Sequence, residues 1–346
     1  MTTLAQQVSP SARGNPVPIS FRVTVTLTQG TPAETTRNVT ISGWVFVPDA
    51  VPAESPVAIW YLGIPGATYR GLSYFDRQVP GYPAQEFSLA RFQARHGVGV
   101  IVIDTLGTGE SEIEVDGELI TSSVTAEANL QVLQQVRERL TAGTLIPGLA
   151  PVPQDALFLA GIGHSMGAFQ LTQLAVLLQD RGTPLDAAVF VGWSHGPWNF
   201  EWLGVDPDAT MAAISATVSN GYLVGGRPLM RPFFYGPTPT VPQALIEADE
   251  RDATMFPKGL MAEGMTPGIV VREAGRIRCP VLHVEASHDL GSSAQSEGRH
   301  YASTQLFTAY TQPQAAHCNF EASRNEYWRL LADWSRMVAL SHTIQA

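Results

Sequence analysis

The segment that most constrains the fold is Gly163-His164-Ser165-Met166-Gly167, which follows the apolar run Leu157 to Gly161 and leads straight into a helical stretch, Met166 to Gln179. A serine on so tight a strand-to-helix turn takes a strained backbone conformation. Side chains two positions before and after it would collide with neighbouring backbone, hence glycine at both places. The turn lifts the hydroxyl above a sheet and sets it at a helix N-terminus, where partial positive charge favours a developing anion. In a chain with 31 glycines the five-residue string can arise by chance, so its flanking strand and helix carry the argument.

The rest of the chain supplies a sheet for that turn. Phe21 to Thr28 and Val39 to Val47 alternate in polarity around a Gly/Pro/Thr segment and predict an antiparallel hairpin. Short apolar runs then alternate with helical stretches, as parallel strands buried on both faces do. The predicted strands are Val57 to Leu62, Val98 to Ile103, Leu157 to Gly161, Ala187 to Gly192, Val281 to Glu285 and Leu306 to Tyr310. Helices are predicted over Val124 to Leu140, ended by Gly143, over Met166 to Gln179, ended by Gly182, and over Asn325 to Ala339. The expected fold class is α/β: a mostly parallel central sheet with helices on both faces. The rhythm breaks between His195 and about Gly275, which reads as a mostly helical insertion, a cap. The expected organisation is a mobile arm over 1–15, a core of 16–194 and 276–346, and a cap over 195–275.

A serine nucleophile needs a base, and the base needs a carboxylate to fix its tautomer. In such a sheet the acid and then the histidine follow the serine along the chain. His317 comes after the last strand through a short loop and precedes the terminal helix, so the sheet's carboxyl edge can deliver it to Ser165. His195, just past a strand end, is the rival, and the better reading puts it in the pocket wall. Asp289, shortly after Val281 to Glu285, is the expected acid, with Glu285 as the alternative. Acyl transfer also calls for N–H donors aimed at an oxyanion. Met166 N–H is one candidate. Ile64 N–H, in Leu62-Gly63-Ile64-Pro65-Gly66-Ala67, is the other, since Pro65 has no N–H.

These motifs, with Asp104-Thr105-Leu106-Gly107-Thr108-Gly109-Glu110-Ser111 after the second parallel strand, resemble the serine-nucleophile branch of the α/β-hydrolase superfamily, over Val39 to Leu340. The D-x-x-G-x-G-x-S loop reads as structural. Leu62-Gly63 departs from the His-Gly of many members, which bears on which backbone group is the oxyanion donor. The resemblance implies hydrolysis through an acyl-enzyme with a cap over the site, and neither metal nor organic cofactor. Serine at 165 argues against the branches that use aspartate there.

Trp193, Trp198, Phe200 and Trp202 cluster at the start of the insertion, and Tyr69 and Tyr74 follow the oxyanion loop. Trp193, Trp198, Trp202, Tyr69 and Tyr74, together with His195, are the expected pocket residues, although cap aromatics also serve simply to pack the cap on the core. A medium-sized hydrophobic or aromatic carboxylic ester or lactone fits such a wall. Carbon–carbon bond hydrolysis, acyl transfer and a non-catalytic small-molecule receptor are the alternatives, the first two using the same triad. Arg227 and Arg231 are the residues that could meet a carboxylate.

A net charge of -10 without basic runs argues against nucleic-acid or anionic-membrane partners. No apolar stretch is long enough for a spanning helix, and residues 1–18 lack the pattern of a signal peptide, so the expected location is cytoplasmic. Cys279 and Cys318 are expected at opposite ends of the sheet, too far apart to bridge.

Overall fold

The computed structural model describes residues 14–49, 57–111, 113–196, 198, 206 and 217–345. The arm expected over 1–15 falls, except for Gly14 and Asn15, outside the described residues, as do Phe200 and Trp202.

Among the described residues eight strands form the central sheet: β1 (Val17–Leu27), β2 (Thr35–Phe46), β3 (Ala58–Ile64), β4 (Gly99–Ile103), β5 (Leu157–His164), β6 (Ala187–Val191) and, beyond an insertion that carries the short strands β7 (Val218–Ser219), β8 (Tyr222–Leu223) and β9 (Phe256–Pro257), β10 (Val281–His288) and β11 (Phe307–Ala316). Their order is β1-β2-β4-β3-β5-β6-β10-β11. β1 pairs antiparallel with β2 and β2 with β4, while every pairing from β4 to β11 is parallel. The hairpin and the six apolar runs thus fall where the pattern places them. Several strands run past the expected ends, most of all β11, whose last residues include polar ones, while β4 and β6 each fall one residue short.

Strand period explains the two-sided core. In β4, Ile101 and Ile103 face a cluster with helices Ser122–Ala142 and Met166–Asp180, whereas Val100 and Val102 face one containing Trp328, Leu331 and Trp334 of helix Arg324–Gln345. Gly143, at φ 69°, ends the first of these helices in the left-handed conformation.

Between β6 and β10 the described insertion holds short helices, among them Arg231–Tyr235, Gln243–Arg251 and Lys258–Gly264. It also holds a small antiparallel sheet of β7 (Val218–Ser219), β8 (Tyr222–Leu223) and β9 (Phe256–Pro257). Strands of two residues are too short to carry a period, so this sheet leaves no trace in the sequence pattern. Among the described residues no helix is long and apolar enough to cross a membrane, and both cysteines are free thiols.

Candidate active site

The parallel strands run the same way, so the segments after β3, β5, β6, β10 and β11 meet at one edge, the usual place for a site in an open α/β sheet. Ser165, directly after β5, has φ 52° and ψ -122°, a conformation that a non-glycine residue adopts only under constraint. The constraint is visible. Ser165 N–H donates to Val191 O at 2.8 Å, fastening the turn to β6, and Ser165 O caps the helix by accepting from Ala168 and Phe169. A Cβ at Gly163 would run into the backbone of Gly167 and Ala168, and one at Gly167 into Ile64 O.

His317 follows β11 and Asp289 follows β10. His317 Nδ1 lies 3.0 Å from each oxygen of Asp289, and Leu290 N–H donates to the same carboxylate at 2.7 Å. The other ring nitrogen, Nε2, is buried without a hydrogen-bond partner. Gly192, at φ 61°, follows β6 and leaves room for this pair: a Cβ there would sit 3.2 Å from Asp289 Oδ2 and 3.3 Å from His317 Nδ1.

His164 has a part that its position beside Ser165 did not disclose. Its ring stacks on Tyr74 at 4.0 Å, and its Nε2–H donates to the carbonyl of His317 at 2.9 Å. Burial, with the nearby His317, holds the imidazole of His164 well below its usual pKa, so the ring is neutral. Phe233, from the insertion, stacks on the His317 ring at 4.0 Å, and Cys318 N–H donates to Phe234 O.

Ser165, Asp289 and His317 share the wall of one cavity of about 250 Å³. Trp193, Trp198 and Tyr69 line it, joined by Phe233 and the flexible thioethers of Met230, Met261 and Met265. Two expected wall residues lie elsewhere. Tyr74 is not on the wall, because it packs behind His164. His195 is not on it either, because Glu297 accepts from both its backbone N–H (3.1 Å) and its Nδ1 (2.8 Å) and draws the ring away. Burial works against the charge on Glu297, yet these donors and His283 hold its carboxyl down at about 2. Ile64 ends β3, and the wall beside Ser165 is made a little further along the same loop by Gly66, Ala67 and Thr68. Met166, at the helix start, does line the cavity.

Neither Arg227 nor Arg231 of the insertion is free for a substrate carboxylate. Arg227 pairs with buried Asp249 at 2.5 Å, its guanidinium lying 3.9 Å from the Tyr69 ring and 4.0 Å from that of Phe234. Arg231 pairs with Glu250 at 2.8 Å. The D-x-x-G-x-G-x-S loop is structural in its contacts: Asp104 accepts from the backbone N–H groups of Gly71 and Glu110, both at 2.8 Å. Among the described residues no group of three or more His, Cys, Asp or Glu is arranged to hold a metal ion.

The profile of the alpha/beta hydrolase family matches residues 62–330, more than three quarters of the chain and every segment at this sheet edge. The chain belongs to the alpha/beta hydrolase family. Within it, this alpha/beta hydrolase is similar in fold to several solved structures. One is the proline iminopeptidase of Mycobacterium smegmatis, at 13% identity and TM-score 0.56, covering 93% of this chain and 100% of that one. Another is a thermophilic esterase from Thermogutta terrifontis, at 15% identity and TM-score 0.55, covering 92% and 99%. A third is carboxylesterase CesB from Bacillus subtilis, at 14% identity and TM-score 0.56, covering 91% of each chain. At these identities the likeness is one of fold. No curated protein matches the chain.

Proposed function

We propose that this alpha/beta hydrolase is a serine esterase that cleaves a medium-sized apolar or aromatic carboxylic ester, or a lactone, through an acyl-enzyme. The observation that carries the reading is the state of His317. One ring nitrogen is held by both oxygens of Asp289 at 3.0 Å, while the other is unpartnered in the cavity wall that also holds Ser165. That is the arrangement a general base needs.

In this reading Ser165 Oγ attacks the ester carbonyl as His317 Nε2 takes its proton, and Asp289 stabilises the imidazolium. The tetrahedral oxyanion is held by Met166 N–H, which has no acceptor within its own helix, and by a second N–H from the Ile64–Ala67 loop. His317 then gives its proton to the leaving alcohol. Water, activated by the same imidazole, releases the acid and restores Ser165. Residues 195–275 serve as the cap and 16–194 with 276–346 as the core. Indole, phenyl and thioether groups dominate the wall, and Arg227 and Arg231 are already paired, which supports an apolar substrate.

The test is fluorophosphonate labelling of the purified chain, with mass mapping and a parallel assay on p-nitrophenyl esters of increasing acyl length. An adduct on Ser165 with turnover, both lost in Ser165→Ala, is expected. Turnover that survives Ser165→Ala would end the serine reading.

A further inference from the structure

The proposed roles of Ser165, His317 and Asp289 leave one carboxyl at the site without a part. Glu285 lies in β10 four residues before Asp289 and is 2% exposed. Strand alternation puts it on the same face as His283, and its Oε1 lies 3.2 Å from His283 Nε2. The turn after Asp289 folds back over this carboxyl, since a Cβ on Gly291 would be 3.2 Å from Oε1. Its second oxygen, Oε2, is buried and reached by no N–H or hydroxyl group in hydrogen-bond geometry. The ionisable groups around it are Asp289, Glu297, His283 and Tyr301, with the backbone N–H of Trp193 nearby.

Two carboxyls in one buried site do not both ionise. The negative charge belongs on Asp289, which faces the His317 Nδ1–H and accepts Leu290 N–H. Burial first, then the charges of Asp289 and Glu297, push the Glu285 carboxyl well above the usual carboxylate range, the Trp193 N–H being the opposing influence. His283 is held neutral by burial, its pKa lowered to about 4, so it can present Nε2–H to Glu285. A hydrogen on Oε2 then leaves no lone pair aimed at another.

We propose that Glu285 is a positioning residue: a neutral carboxylic acid that accepts from His283 through Oε1 and donates its own hydrogen from Oε2 to Asp289. The proposal rests on the serine-esterase reading. It follows that Asp289 is steered with both oxygens toward His317, and that its charge is moderated by a donor. That moderation suits the step in which His317 gives its proton back. A second anion beside Asp289 would over-stabilise the imidazolium and make it a poor acid toward the leaving alcohol.

Glu285→Gln, Glu285→Leu and Asp289→Asn in the full chain separate the possibilities. Glutamine keeps an N–H for Asp289 and a carbonyl for His283, so it should hold kcat/KM within about threefold and leave the acid limb of the pH profile in place. Leucine should lower kcat about tenfold with KM little changed, the loss of one hydrogen bond to a charged group, and move the acid limb up by about one pH unit. A protonated-carboxyl stretch in the infrared spectrum at neutral pH, absent from Glu285→Gln, should be seen even if the leucine variant fails to fold. Glu285→Gln falling as far as Asp289→Asn would make Glu285 the charged acid and overturn the proposal. So would a wild-type profile for Glu285→Leu, or no difference in the infrared band. Failure of the underlying reading looks different: turnover would survive Ser165→Ala while the infrared difference stayed the same.

Discussion

At the scale of single residues, the contact of both Asp289 oxygens with His317 Nδ1 sets a sharp expectation. An asparagine in place of Asp289 would offer Nδ1 an amide N–H and favour the wrong imidazole tautomer. Asp289→Asn is therefore expected to lower kcat/KM by on the order of 10³- to 10⁴-fold with the fold intact. Steady-state rates on the best p-nitrophenyl ester check this, and a near-wild-type rate would shift the acid to Glu285. Gly192→Ala is expected to lower kcat about tenfold, because the added methyl presses on Asp289 and His317 at a residue with φ 61°. Ser165 could be found from its own neighbours, and His317 and Asp289 from where strands end. His164 could not be given its part, since its bond to His317 O joins positions 153 residues apart, and nothing local to either marks it. Gly192 was hidden for the same reason: its need for an absent side chain comes from loops after β10 and β11.

At the scale of elements, buried charge ties the insertion to the core alongside the aromatic packing that its composition suggests. Asp249, fully buried in helix Gln243–Arg251, pairs with Arg77 of the core at 2.7 Å and with Arg227 of the insertion at 2.5 Å. Tyr69 and Tyr235 also donate to it. Removing its charge leaves two buried guanidinium groups short of a partner. Asp249→Asn is expected to cost about 3–5 kcal/mol of stability. Urea unfolding measures it, and a loss under about 1 kcal/mol would mean that solvent reaches the arginines. Core strands were legible because parallel strands covered on both faces are short and almost wholly apolar. The insertion's architecture was not, because its small sheet and the pairing of Arg227 and Arg231 depend on contacts between segments with no period of their own.

For the molecule as a whole, buried neutral histidine links the site to acid stability. His283, wholly buried in β10, is held at about 4 by burial, against an ordinary value of 6.5. Below pH 6.5 the unfolded chain takes up a proton there that the folded chain refuses until about pH 4. The unfolded state thus binds more protons across that window, and stability is lost as the pH falls through it, by about 3 kcal/mol for this one group. Glu285 works in the opposite direction. Its carboxyl stays protonated in the fold after the unfolded chain has ionised, so its contribution falls as the pH rises. The total pH dependence therefore mixes signs, and the informative quantity is a difference between variants. A glutamine in place of His283 keeps an amide N–H for Glu285 but cannot titrate. The stability of the wild type minus that of His283→Gln, from urea unfolding at a series of pH values, should fall by about 3 kcal/mol between about pH 7 and pH 4. A constant difference would mean that His283 takes up its proton equally in the folded and unfolded chain, and it could not then act as the fixed neutral donor to Glu285.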